Sequence, residues 1–393
     1  MHVLHVISSL DPRGGGPVAA LSGLASAQLD AGMTVSVAAT YRQEAEQAVA
    51  NRLRDLGVRM HLIGPTMTPL MWHPRLAATL RHAMDNADVV HIHAMWEEIQ
   101  HRACRLARQR RMPYIMRPCG MLDPWSLAQS SLKKRVYMRW RLNRNLREAS
   151  AIHYTTPQER DLAGSLNIPA PAVVEPLGVD LSEFETLPDP DAARAKYPQL
   201  ADRPVMAFLG RVYPGKGLEH LIPAMAQMTR TDAMLLVVGP DNTGYQQELT
   251  AMAEAHGVSD RIIFAGLLNG RDRIEALVDA TLFTLPSDHE NFGIAVVEAL
   301  AAGTPAVISE EVAIAGELEE AGVCGVSPRE PGALAATLDQ WLNDDMMRQE
   351  AADRARPFVR SRYNWSQIAR NWQQHYERLL DGSTPAAVEA PVP

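Results

Sequence analysis

Pro286-Ser287-Asp288-His289-Glu290-Asn291-Phe292-Gly293-Ile294-Ala295-Val296-Val297-Glu298-Ala299-Leu300-Ala301-Ala302-Gly303-Thr304-Pro305 is the stretch on which the reading of this chain turns. An apolar run, Ala280 to Leu285, precedes it and reads as a buried strand, so the polar segment 286–293 is the loop at that strand's end. Ile294 to Ala301 then reads as an apolar helix closed by Gly303 and Pro305. A helix starting near Phe292 aims its free N–H groups at whatever Glu290 holds, a setting suited to phosphate. Glu298 lies about one turn and a half further in, in an otherwise apolar helix, where a carboxylate needs a partner. Two partners suit it, the hydroxyls of a ribose or a buried arginine.

Outward from this block the strand–loop–helix alternation repeats. Upstream lie strands at Val205 to Leu209, Met234 to Gly239 and Ile262 to Phe264, and Pro305 to Ile308 follows. Between the first two comes Gly210-Arg211-Val212-Tyr213-Pro214-Gly215-Lys216-Gly217-Leu218, two permanent cations on a glycine-bounded loop. Carboxyl ends of parallel strands are where open α/β sheets bind ligands, and an Arg fork with a Lys point charge matches a diphosphate. The loop is no P-loop, because Gly217 stands where a Ser or Thr would hold magnesium.

The amino-terminal half shows the same alternation. His2 to Ser8 reads as a buried strand, followed by Gly14-Gly15-Gly16 and an Ala/Leu-rich helix from Val18 to Ala31. Further strands are expected at Thr34–Ala39, Val58–Ile63, Asp88–His93, Tyr114–Met116 and Ala151–Tyr154. No G-x-G-x-x-G with a following acid is present, which argues against a nicotinamide site. The proline-dense stretch 169–204 is the expected linker. The chain thus divides into residues 1–180 plus a carboxyl-terminal helix over 365–380, residues 181–364, and a small-residue tail, 381–393, expected to be disordered.

Composition narrows the class. The 393 residues carry a formal net charge of −8, but residues 1–180 hold 21 Lys and Arg against 15 Asp and Glu, and residues 181–393 hold 17 against 31. Such a split suggests two domains with different partners, the basic one facing something anionic. Three cysteines without CxxC spacing argue against a disulfide framework or structural zinc. No apolar run reaches membrane-span length and no signal segment is legible at Met1, so a cytoplasmic protein is expected.

One segment qualifies that expectation. Residues 132–147 hold seven cations and no acid, with Leu132, Val136, Tyr137 and Trp140 near helical spacing. Lys133, Lys134, Arg135, Arg139 and Trp140 are therefore candidates for contact with an anionic membrane surface or a lipid-linked acceptor. A solvated basic helix packing its apolar stripe on the core is the competing reading. No nucleic-acid partner is expected, since the basic segment lacks a recognition motif and the overall pI is about 5.9.

The Arg211/Lys216 loop and the Glu290–Glu298 pair, in E-x7-E spacing, resemble the family-four glycosyltransferases, retaining enzymes of the GT-B fold. The resemblance runs from the glycine loop through His93 to Gly303-Thr304-Pro305. It implies an α/β chain with two Rossmann-like domains facing each other across a cleft, and a nucleotide-diphosphate sugar as donor. Arg211, Lys216, Glu290 and His93 would be the catalytic set, with Arg211 and Lys216 on the diphosphate and His93 near the reaction centre. Glu298 would bind ribose, while Glu290 and the backbone of Phe292 and Gly293 hold the sugar. The N–H groups of Ile294 and Ala295, with Gly15 and Gly16 from the other domain, would contact phosphate. The base would stack near Phe264 to Leu268, which makes Leu267 a donor-binding candidate. No cofactor or metal is expected, because Arg211, Lys216 and the helix terminus supply the positive charge. The acceptor would be a saccharide or lipid-linked saccharide in surface polysaccharide or glycolipid assembly. One departure stands out: Pro176-Leu177-Gly178-Val179-Asp180 lacks the Asn that the family often has at its second position. Two other readings stay open, a non-catalytic nucleotide-sugar-binding protein and a phosphorylase of related fold. The second lacks an unassigned lysine after a suitable strand.

Overall fold

The computed structural model describes residues 1–11, 14–43, 47–66, 68–128 and 136–383. Lys133, Lys134 and Arg135 lie outside the described residues, as does the tail beyond Ser383. The chain divides into two compact units: Met1–Gly178 with the segment from Trp365 onward, and Val179–Asn364. The division falls two residues before the expected one.

The first unit is built on strands β1 (His2–Ser9), β2 (Thr34–Thr40), β3 (Arg59–Ile63), β4 (Val89–His93), β5 (Tyr114–Arg117), β6 (Ala151–Tyr154) and β7 (Ala172–Val174). All pair in parallel, in the order β3-β2-β1-β4-β5-β6-β7. Central strands of such a sheet are covered on both faces, which is why they read as unbroken apolar runs. Leu4, Val6, Val90, Ile92 and Met116 fill one face. Val3, Ile7, Val35, Val37 and Ile115 fill the other, together with Ile368, Ala369, Trp372 and Tyr376 of the helix Trp365–Leu380. That helix buries an i, i+4, i+7, i+8 stripe, the period of an amphipathic helix. Its first residue packs so closely that a Cβ on Gly23 would lie 2.3 Å from the Trp365 indole nitrogen.

β7 was not expected inside the proline-dense stretch. It is the last strand of the sheet, and an edge strand tolerates flanking prolines such as Pro169, Pro171 and Pro176 because one side of its ladder is unpaired.

The second unit carries β8 (Val205–Leu209), β9 (Met234–Val238), β10 (Ile262–Gly266), β11 (Leu282–Leu285), β12 (Ala306–Ser309) and β13 (Cys324–Ser327), in the order β10-β9-β8-β11-β12-β13, all parallel. Strand order reverses between β8 and β11 here, and between β1 and β4 in the first unit. Ligands of open α/β sheets sit outside the carboxyl ends at these switch points.

Candidate functional site

In the second unit the switch point is made by the loops after β8 and β11, and glycines let them touch. Gly217 has φ +90°, and a Cβ there would lie 2.1 Å from the Pro286 carbonyl oxygen. Only glycine fits both that backbone and that contact. The Asp288 N–H donates to the Gly215 carbonyl at 3.0 Å, and the Glu290 N–H to that of Glu311 at 3.2 Å. Lys216 and Glu290, 74 residues apart, are thereby brought together, with Nζ 2.5 Å from Oε2. Arg211 is exposed on the same loop, over the Tyr213 ring at 5.9 Å.

Asp288 anchors this arrangement. Its Oδ1 accepts from His220 Nε2 at 2.7 Å and from Arg329, whose other nitrogen reaches Glu311 at 3.3 Å. Burial pushes the Asp288 carboxyl up, but the bonds from His220 and Arg329 outweigh it and hold the group below the usual carboxylate range. Glu219 lies beside this pair, and its Oε1 accepts from the Gly215 N–H. Glu219, His220 and Asp288 bring potential cation ligands within 4.8 Å of one another, but the Arg329 guanidinium already sits on the carboxylate.

The helix Ile294–Ala302 begins at Gly293, whose φ of +86° is left-handed. No side chain caps it, so the Ile294 and Ala295 N–H groups have no intrahelical acceptor. Phe292 is buried edge-on against Tyr363, ring centroids 5.6 Å apart, which leaves its backbone as the part able to meet a ligand. Glu298 takes the arginine of the two partners foreseen for it. Arg273 Nη1 donates to Oε1 at 2.6 Å, and Arg273 Nη2 bonds Glu183. Burial raises the Glu298 carboxyl and Arg273 opposes that shift. Leu267 follows β10 and is 60% exposed.

The switch point of the first unit pairs Gly15 with the end of β4. Gly15 has φ +68° and caps the helix Gly16–Asp30, again without a side-chain cap. Ala94, directly after His93, is a non-glycine residue at φ +62°. Strain of that kind concentrates at functional sites.

His93 itself is not a free imidazole. Strand alternation puts His91 and His93 on one face, and register sets His5 beside His91 and Arg117 beside His93. All four are buried, as is His153 on β6. The result is a continuous hydrogen-bond chain in which Arg117 can only donate and the Glu175 carbonyl can only accept. Arg117 donates to His93 Nδ1 (3.4 Å), His93 Nε2 to His5 Nδ1 (3.0 Å), and His5 Nε2 to Gln28 Oε1 (2.7 Å). Gln28 Nε2 donates to the Tyr376 hydroxyl (3.1 Å), which donates to His91 Nδ1 (2.8 Å). His91 Nε2 donates to His153 Nδ1 (3.1 Å), and His153 Nε2 to the Glu175 carbonyl (2.9 Å). With both ends fixed, every histidine is neutral and carries its proton on Nε2. Burial lowers all four imidazoles, His5 to about 4. Both ring nitrogens of His93 are thus engaged, and neighbouring β-strand positions, invisible to a motif, supply the partners.

Residues 189–358 match the family model of the glycosyl transferases group 1, and residues 15–178 match that of the glycosyl transferase 4-like domain. The chain belongs to the group 1 glycosyltransferase family. An uncharacterised glycosyltransferase of Methanocaldococcus jannaschii is 31% identical over 186 residues, 46% of either chain. The phosphatidyl-myo-inositol mannosyltransferase of Mycobacterium leprae is 31% identical over 222 residues, 55% of this chain and 56% of that protein. The chain thus matches about half the length of these curated relatives. Anabaena HepE, solved in complex with UDP and glucose, superposes with a TM-score of 0.76 at 21% identity, covering 97% of this chain and all of the other, which establishes the GT-B fold.

Within this glycosyltransferase-family chain the structure gathers Lys216, Glu290, Gly293, Ile294 and Ala295 around one loop pair. His93, Gly15 and Gly16 belong to the other unit. Sequence reasoning assigned nothing to Arg273, Asp288, His220 or Arg329. One signal was available, a charged residue such as Arg273 in the first turn of a helix, where a cation opposes the dipole and needs compensation.

The basic segment is helical from Val136, with a π-helical stretch over Met138–Leu142. Leu142 and Leu146 are buried in the core, whereas Val136 and Trp140 are exposed, Trp140 at 80%. Arg141 pairs with Glu98 and Arg144 with Glu148, so acids from outside the segment neutralise part of its charge. Among the described residues no helix is long and apolar enough to cross a membrane.

Proposed function

We propose that the protein is a retaining, metal-independent glycosyltransferase of the hexosyltransferase type, moving a sugar from a nucleotide-diphosphate donor to a saccharide or lipid-linked acceptor. The observation that carries this reading is the junction of Lys216, Glu290 and the uncapped helix start at Gly293, placed at a sheet switch point. Lys216 and Arg211 meet the diphosphate, and the Ile294 and Ala295 N–H groups complete its cradle. Glu290 and the backbone of Phe292 and Gly293 hold the donor sugar, Glu298 takes the ribose and Leu267 lies under the base.

In the reaction the bond from the anomeric carbon to the diphosphate oxygen breaks, and the acceptor oxygen attacks from the same face. The leaving phosphate takes the acceptor's proton, and the cations and helix N–H groups stabilise the charge it gains. No carboxylate has to act as nucleophile. His93, held neutral in its chain, steadies the carboxyl end of β4.

Acceptor identity draws on the exposed face of the helix around Trp140 and on the lipid named in the mycobacterial relative's activity. We place the enzyme in the cytoplasm, peripheral on the membrane's inner face, in surface polysaccharide or glycolipid assembly. Flotation with anionic vesicles at low salt is expected to carry the protein upward, and Trp140→Ala with Arg139→Ala to abolish this. Absence of wild-type flotation contradicts the membrane role.

The donor reading is tested by thermal shift against UDP, GDP, ADP, dTDP and their sugars, with and without EDTA. One nucleotide is expected to raise the melting temperature selectively, unaffected by EDTA. No shift with any of them contradicts a preformed donor site.

A further inference from the structure

Glu298 is held by an arginine that neither the donor motif nor the proposed chemistry assigns. Arg273 sits in the first turn of the helix Gly270–Val278, where the helix dipole disfavours a cation. Its fork spans two carboxylates on separate elements: Nη1 donates to Glu298 Oε1 at 2.6 Å, and Nη2 bonds Glu183 in the short 3-10 turn Leu181–Phe184. Its Nε is buried without a hydrogen-bond acceptor among the described residues. A buried orphan donor is costly, so the placement of this fork follows the two carboxylates rather than its own full satisfaction. Among the described residues Glu298 Oε2 carries no hydrogen bond, so one oxygen of the carboxylate is fixed and the other is open.

We propose that Arg273 is a positioning residue of the donor site: anchored on Glu183, it fixes the Glu298 carboxylate through Oε1 and leaves Oε2 to accept a hydroxyl of the nucleotide ribose. This rests on the donor-site reading above and deepens it. A carboxylate that accepts from a sugar hydroxyl has to be ionised and steady, and Glu298, on an apolar helix, is neither without help. Burial favours its neutral form, Arg273 favours the charged one, and Glu183 on the far side of the guanidinium opposes Arg273. These two are the charged groups that face Glu298, one from the helix Gly270–Val278 and one from the turn. Loss of Arg273 therefore moves the protonation of Glu298 to higher pH and frees its rotamers.

The experiment is calorimetric titration of the full chain with UDP, GDP and ADP, then with the 2′-deoxy and 3′-deoxy forms of whichever binds. Wild type is expected to prefer the ribonucleotide by about tenfold, the worth of one hydrogen bond to a charged group. Arg273→Gln is expected to bring that ratio close to one and to shift the acid limit of binding upward in pH, and Arg273→Lys to restore part of both. A merely structural ion pair would weaken all nucleotides alike and leave ratio and pH limit in place. An unchanged ratio in Arg273→Gln overturns the inference while the donor site stands. Wild-type binding of no nucleotide overturns both. Should Arg273→Gln not fold, Glu183→Ala keeps the Arg273–Glu298 pair but releases Nη2. It is expected to lower the ratio by about two- to fivefold, and an unchanged ratio there overturns the inference equally.

Discussion

The two units bury polar side chains in opposite ways. Beneath the helix Trp365–Leu380, the first unit keeps four histidines, a glutamine and a tyrosine neutral, each donor matched to the next acceptor along one directed chain. At the carboxyl edge of β8 and β11, the second unit pairs side chains of opposite charge type: Lys216 on Glu290, Arg273 on Glu298, and Arg329 on Asp288, which also accepts from His220. A neutral chain rigidifies but carries no positive charge with which to meet a phosphate. Paired charges with some exposure can exchange partners, so an incoming diphosphate can replace Glu290 on Lys216. On the proposed function, the donor's charge falls to the second unit and a scaffolding role to the first.

Acid breaks this comparison most strongly. The four chain histidines have folded-state pKa values below the ordinary 6.5, so between 6.5 and the lowered values the unfolded chain binds more protons than the folded one. Stability of the first unit is therefore full above pH 6.5 and falls as pH drops below it. For His5, lowered to about 4, the loss amounts to about 3 kcal/mol. Hydrogen-exchange mass spectrometry, corrected for intrinsic rates, should show β1 and β4 losing protection by pH 5 while β8 and β11 keep theirs. Equal loss in both units contradicts the assignment of neutral histidines.

Backbone contact in the second unit gives the next effect. Gly217→Ala puts a Cβ 2.1 Å from the Pro286 carbonyl oxygen at a φ of +90°. It is expected to cost about 2–4 kcal/mol by denaturant titration and to separate Lys216 from Glu290, with nucleotide binding lost. Retained binding would mean that the loop pairing does not build the site.

A smaller effect sharpens the contrast. Tyr376→Phe removes the hydroxyl that accepts from Gln28 and donates to His91. The expected cost is about 1–3 kcal/mol. Histidine nitrogen-15 spectra should show four Nε2-protonated rings in wild type and tautomer exchange at His91 in the variant. Mixed tautomers in the wild type contradict the chain.

What the sequence disclosed follows the same divide. Gly210 to Leu218 and 286–305 could be read because each places its chemistry within one loop and the helix start beside it, and strand–loop–helix order fixes where those lie. The neutral chain could not be read, since His5 and His93 are 88 residues apart and Gln28 and Tyr376 are 348 apart, so only strand register and helix docking join them. Glu298 shows the boundary. Its need for a partner was legible from one carboxylate in an apolar helix, but Arg273 comes from a neighbouring helix that the motif does not include. Likewise β7 hid among prolines whose tolerance depends on its being an edge strand.

The proposed function requires the second unit's charges to serve a donor diphosphate, and Lys216→Ala tests that most directly. Glycosyl transfer from the stabilising nucleotide sugar should fall by about a hundredfold or more, the worth of a lost electrostatic donor in a reacting site, with circular dichroism and melting temperature near those of wild type. Wild-type turnover in a folded Lys216→Ala protein would contradict the account.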